Sequence, residues 1–127
     1  MSPPISSLMQ RDVVSANLDD TIEVVEARMT RHRLSWLPVL ESGSTVLGVI
    51  SAADLLRFHA DGRDPGGVHA WQLCTYKPIM VAPDATLAEV ARLMIERAIH
   101  HVVVAEGTSI VGVVSSLDFV RTHVPGA

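Results

Sequence analysis

Gly48-Val49-Ile50-Ser51-Ala52-Ala53-Asp54-Leu55 returns at a spacing of 64 as Gly112-Val113-Val114-Ser115-Ser116-Leu117-Asp118-Phe119. Each stretch reads as an apolar strand running into a helix whose start carries Ser-x-x-Asp, the pattern of a capping box. Upstream, Asp19-Asp20-Thr21-Ile22-Glu23-Val24-Val25 returns as Asp84-Ala85-Thr86-Leu87-Ala88-Glu89-Val90 at a spacing of 65, so one residue has been lost in the turn between. Aligning 19–41 with 84–106 and 47–57 with 111–121 gives 11 identities in 34 positions, where average residue usage gives about two. The chain is an internal duplication, and that decides the fold.

Both copies have the same coarse order. Residues 13–16 and 79–82 are short apolar runs that read as strands. Helices follow, with Asp20 and Ala85 near their caps. Ile22, Val25 and Met29 fall at i, i+3, i+7, and Leu87, Val90 and Met94 repeat that stripe, which buries one helix face. Strand pairs are expected at 36–40 with 46–50 and at 101–105 with 110–114, around Glu41-Ser42-Gly43-Ser44 and Glu106-Gly107-Thr108. A second helix starts after Ser51 and after Ser115. The expected class is α/β (α+β), with two β-α-β-β-α motifs, 7–58 and 71–123, packed through their sheets. The intervening linker, 59–70, is rich in Gly, Pro and charge and reads as a mobile surface loop.

The 127 residues suffice for about one domain, and a copy of about 55 residues is marginal alone, so the two copies are expected to form a single unit. Hydrophobic residues make up 48% and aromatic ones 4%, which leaves the core to Val, Ile, Leu, Met and Ala. The net charge is −4 and no basic stripe appears, so a nucleic-acid partner is not expected. A lone Cys74 suits a reducing compartment. The start of the sequence lacks the apolar core of a secretion signal, and no run approaches the roughly 18 apolar residues of a membrane span. A cytoplasmic protein with no membrane partner is expected.

The ordered set of strand, Asp/Thr-started helix, Leu-Pro-Val-type strand and Gly-x-x-Ser-x-x-Asp junction, present twice, resembles a tandem pair of CBS (cystathionine beta-synthase) domains, a Bateman module. The resemblance covers nearly all of residues 7–123. It implies a regulatory module that binds AMP, ADP, ATP or S-adenosylmethionine in clefts between the two copies, with no obligatory cofactor, and that forms a homodimer. Cys74-Thr75-Tyr76 looks like the family's Gly-Thr-Tyr segment, whose threonine helps hold the sugar-phosphate. Ile99-His100-His101-Val102 is similar to its Ile-His-Arg-Leu, and Asp118 matches the aspartate that takes the ribose hydroxyls. The resemblance implies one site of Ser115 and Asp118 with His100 or His101, closed by Val14, Ser15 and Ser35. Its twin would use Ser51 and Asp54 with Thr75, Met80 and Val81. His101 stands where the pattern has Arg, Leu117 and Ala53 where some members carry a hydroxyl, and Gln10 at the first-copy equivalent of Thr75.

Each of these residues also has a simpler account. Ser51 with Asp54 and Ser115 with Asp118 are complete as helix caps, worth about 1 kcal/mol. A carboxylate in that place can also accept two ribose hydroxyls, beside helix N–H groups suited to phosphate. His100 and His101, adjacent on a strand, point to opposite faces and cannot jointly hold a metal. His32, His59, His69 and His123 are scattered, and no zinc spacing exists, so no metal is expected. Trp36 is either a half-buried strand aromatic or a flank for adenine. No nucleophile elbow, phosphate-binding loop or His-Glu-x-x-His motif appears, so an enzyme is not expected. Alternatives to an adenosyl-ligand sensor acting on a partner protein in trans are an interaction scaffold with vestigial clefts and a pH- or metal-responsive sensor.

Overall fold

Thr21 and Thr86 open the first long helix of each copy. The Oγ1 of Thr21 accepts from the Val24 amide at 3.3 Å and that of Thr86 from the Glu89 amide at 3.1 Å. Each cap lies beside the expected Asp20 and Ala85. Asp20 instead turns back, accepting from the Asn17 amide and from Arg28 Nη1. The computed structural model describes residues 2–121, and the expected motif end at 122–123, with His123, lies outside them.

The described chain divides into two compact units, each with its own apolar core. The first unit, 14–78, holds β1 (Ala16–Asn17), α1 (Ile22–His32), β2 (Trp36–Glu41), β3 (Thr45–Ser51), α2 (Ala52–Ala60), α3 (Ala70–Leu73) and β4 (Thr75–Tyr76). Within it β1 runs parallel to β2, β2 antiparallel to β3, and β3 antiparallel to β4. The second unit takes β5 (Met80–Val81), α4 (Leu87–Arg97), β6 (His101–Glu106), β7 (Ser109–Ser115) and α5 (Ser116–Arg121). There β5 is parallel to β6, and β6 is antiparallel to β7. The fold is mixed α+β, as the repeat requires.

Both units carry the same irregularities. A bulge interrupts β2 between Val39 and Leu40 and β6 between Val104 and Ala105. Arg33 and Ala98 end α1 and α4 in left-handed conformation, at φ 55° and 51°, where glycine is usual. The expected stripe is buried at Ile22, Val25 and Met29 and again at Val90 and Met94.

The leading residues of the expected motifs are exchanged between the units. Residues up to Val13, which include 7–13 of the expected first motif, belong to the second unit. Ile5 donates its amide to Ala85 O, Leu87 donates to Pro3 O, and Gln10 and Val113 exchange both backbone bonds. In the first unit Thr75, which falls within the expected second motif, lies beside Val49. Linker residues are likewise fastened: the Ile22 amide bonds Val68 O at 2.8 Å, the Glu23 amide bonds Pro65 O at 3.0 Å, and Val68 is buried. The expected loose loop is therefore anchored at the start of α1.

Two glycines make the exchange possible. A Cβ on Gly48 would stand 2.4 Å from Thr75 O and 2.9 Å from Cys74 Sγ. On Gly112 it would meet Met9 Sδ at 2.6 Å and Gln10 O at 3.0 Å. The first obstacle is backbone, whereas the nearest atom in the second is the end of a flexible thioether. Gly48→Ala is expected to destabilise by about 2–3 kcal/mol, near the upper range of overpacking, and Gly112→Ala by about half as much. Chemical denaturation of the two variants measures the difference.

Candidate functional site

Each strand-to-helix junction is closed by its aspartate. The Ser51 amide donates to Asp54 Oδ2 at 2.8 Å while the Asp54 amide donates to Ser51 Oγ at 3.2 Å, completing a capping box. The Ser115 amide donates to Asp118 Oδ2, also at 2.8 Å. In both copies the first helical amide is bound by the residue before the first strand of the preceding pair, β2 or β6: Ala52 N donates to Ser35 O and Ser116 N to His100 O. The carboxylate positions are thereby set by backbone on two sides.

The second carboxylate oxygens differ. Asp54 Oδ1 accepts from the exposed Arg57 Nη2 at 2.7 Å. Asp118 Oδ1 accepts from Gln10 Nε2 at 3.3 Å, with Arg121 Nη1 at 3.9 Å. Among the described residues Asp118 is the buried charged side chain, 6% exposed, so its remaining lone pairs face little competing water. Gln10 is the site residue that sequence reasoning missed. Its spacing from Thr75 marks the two as equivalent, but nothing local to either copy shows that Gln10 joins Asp118.

His101 stands opposite Ser115 across β6 and β7, as Trp36 stands opposite Ser51 across β2 and β3. Burial pushes the His101 imidazole down to about 4, helped by His100 and opposed by Asp118. At neutral pH it is an uncharged donor and acceptor. His100 is exposed and lines a groove between α4 and α5. Of the two, His101 is the one beside Ser115 and within electrostatic reach of Asp118.

The remaining residues divide between the units. Ser51, Asp54 and Thr75 come together in the first, where Thr75 is exposed on β4 beside the end of β3. Val14 and Ser15 precede β1, the Ser15 carbonyl accepting from Arg28 Nη1 at 2.8 Å, and Ser35 precedes β2. Met80 and Val81 form β5 of the second unit, opposite Val103 and Val104. Cys74 is buried, and burial raises its thiol, with Asp54 adding to the effect. No group of three or more His, Cys, Asp or Glu among the described residues could hold a metal ion. No described helix is long and apolar enough to cross a membrane.

This geometry agrees with the comparisons. The CBS domain model matches residues 5–61 and 70–124. The chain belongs to the CBS domain family, as a tandem pair. An uncharacterized protein of Methanocaldococcus jannaschii is 27% identical over 126 residues, which cover 98% of this chain and 45% of that protein. The chain spans less than half the length of that relative. Among solved structures, the CBS domain pair of protein MJ0100 in complex with 5′-methylthioadenosine and S-adenosyl-L-methionine has a TM-score of 0.85 at 20% identity, covering 96% of each chain. CBSX2 in complex with AMP has a TM-score of 0.83 at 19% identity, covering 94% of this chain and 95% of that one.

The histidine makes the fold acid-sensitive. An unfolded imidazole takes up a proton near pH 6.5, whereas folded His101 does so only near 4. The unfolded state therefore binds more protons between those values, and stability is expected to be complete above pH 6.5 and to fall as pH drops toward 4. His101→Gln should flatten that limb of a plot of melting temperature against pH. An unchanged slope would leave the sensitivity to other groups.

Proposed function

We propose that this chain is a non-catalytic, cytoplasmic regulatory module that binds an adenosyl ligand of the AMP, ADP, ATP or S-adenosylmethionine type and signals to a partner protein in trans. In this reading it works as a homodimer and reports cellular energy state. The observation that carries it is the buried Asp118 carboxylate. Ser115 N–H and Gln10 Nε2 each occupy one of its oxygens, leaving lone pairs to accept a ribose diol. Ligand-bound CBS pairs of the same fold support the adenosyl class. Aromatic residues are few, so aliphatic residues would flank adenine, Val14 in one site and Val81 in its twin, with Trp36 as the aromatic neighbour of Ser51. Neutral His101 leaves phosphate groups to helix N–H groups and arginine, which favours the nucleoside part of the ligand as the main source of affinity. Switching would require the ligand to bind one arrangement of the pair more tightly than another.

The completeness of the Ser51–Asp54 capping box favours a second reading, an interaction scaffold that retains its aspartates for folding alone. Thermal shift separates the two. A ligand at about 100 times its dissociation constant stabilises by about 2.7 kcal/mol, several degrees in a chain of this size. AMP, ADP, ATP, NADH and S-adenosylmethionine form the panel, and at least one is expected to raise the melting temperature. Asp118→Asn should then weaken that ligand about tenfold or more, by loss of charge-assisted acceptors. No shift with any adenosyl compound at millimolar concentration would favour the scaffold.

A further inference from the structure

At the opposite end of β2 and β3 from the Ser51–Asp54 junction, the first unit holds a pocket of about 330 Å³. Asn17, Asp20 and Arg28 bring polar side chains to it, Ala16 and Leu40 are its apolar members, and Gly43 of the β2–β3 turn adds no side chain. Of the residues assigned above to an adenosyl site, only Ser15 borders it, and the Ser15 carbonyl is taken by Arg28.

A single guanidinium nitrogen makes all of the protein's bonds to Arg28. Its Nη1 donates to Ser15 O at 2.8 Å and to Asp20 Oδ2 at 3.0 Å. Asp20 Oδ2 also accepts from the Asn17 amide at 2.8 Å, and Asn17 Oδ1 accepts from the Asp19 amide at 3.0 Å. Among the described residues this leaves the N–H groups of Arg28 Nε and Nη2, the Asn17 Nδ2 amide and the Asp20 Oδ1 acceptor without a protein partner. The Arg28 and Asp20 side chains are 35% and 26% exposed, so both charges are fixed by the protein and still open to a small molecule.

The second copy shows that the fold does not need this arrangement. At the spacing of 65, Ala82 stands for Asn17, Ala85 for Asp20 and Leu93 for Arg28. There β5 and α4 nevertheless keep the parallel pairing, the threonine cap and the left-handed helix end of β1 and α1. A partly exposed ion pair also adds little to stability. Three polar side chains that converge on open space in one copy alone point to a ligand.

We infer that this pocket is a binding site, separate from the adenosyl site proposed above and independent of it, for a small aliphatic α-amino acid. The open edge of the guanidinium matches a planar carboxylate. An anion without a positive group would also meet Asp20, and a cation without a negative group would meet Arg28, so a singly charged ligand gains one attraction and one repulsion. An α-amino acid carries both charges on one carbon and lies antiparallel to the Arg28–Asp20 pair, whose atoms are 3.0 Å apart. Its carboxylate accepts from Arg28 and Asn17 Nδ2, and its ammonium donates to Asp20 Oδ1. Ala16 and Leu40 supply the apolar surface for its side chain.

NMR titration of the isotope-labelled full chain with L-valine tests this. Saturable shifts are expected at the amides of Asn17, Asp20 and Gly43. Isovalerate, which lacks the amine, and isobutylamine, which lacks the carboxylate, should each bind at least about tenfold more weakly than valine. Arg28→Leu installs the residue that the second copy holds at this place, and should weaken valine about tenfold or more with an unchanged circular dichroism spectrum. Should that variant fold poorly, Asp20→Asn, which keeps an acceptor for the Asn17 amide, decides by the same loss. No saturable shift at tens of millimolar valine overturns the proposal, as does unchanged valine affinity in a folded variant. Isovalerate or orthophosphate that shifts the same amides at lower concentration than valine also overturns it, in favour of a simple anion site.

Discussion

The bond from the Ser115 amide to Asp118 Oδ2, with its twin from Ser51 to Asp54, is the constraint on which the rest depends. It ends a strand and starts a helix at one point, so the carboxylate is held by backbone. An acid so placed offers its unused lone pairs in a fixed direction, which is what recognition of a diol needs. The same bond is a sufficient helix cap, so the residue pattern alone does not separate folding from binding. Burial and the second oxygen's partner separate them: Asp118 is more deeply enclosed than Asp54, and the nearest group to its second oxygen is a neutral amide, with the Arg121 guanidinium farther off at 3.9 Å, whereas Arg57 sits at 2.7 Å from Asp54.

Duplication gives every feature of one unit a counterpart in the other, and the differences between counterparts are more informative than either alone. Bulges, left-handed helix ends and the glycine beneath the crossing segment are held in common and belong to the fold. Asp118 with Gln10 against Asp54 with Arg57, and Arg28 with Asp20 against Leu93 with Ala85, are not required by the fold.

Much of this was legible in the residues. The i, i+3, i+7 stripes, the Gly-containing turns between apolar runs and the Ser-x-x-Asp junctions are local patterns, and each appears as the element its period implies. In the first copy Thr21 caps while Asp20 is engaged by Asn17 and Arg28, a choice between two adjacent polar residues that local pattern does not settle. The linker escaped because its Gly and Pro content describes turns equally well whether they are loose or bound to the start of α1. The His101 imidazole is near-neutral at pH 7 by its type alone, but how far its surroundings lower it is not legible, because burial is not visible in the sequence.

Sequence by itself determined the repeat, the order of elements in each copy and the chemical type of each junction residue, because these depend on period-two and period-three-to-four patterns a few residues long. Tertiary structure alone decided that the leading residues of each motif cross to the other unit, that Gln10 therefore reaches Asp118, and that burial lowers the His101 imidazole. Those facts depend on contacts between residues about a hundred positions apart, or on which neighbours exclude water, and neither leaves a mark in local spacing.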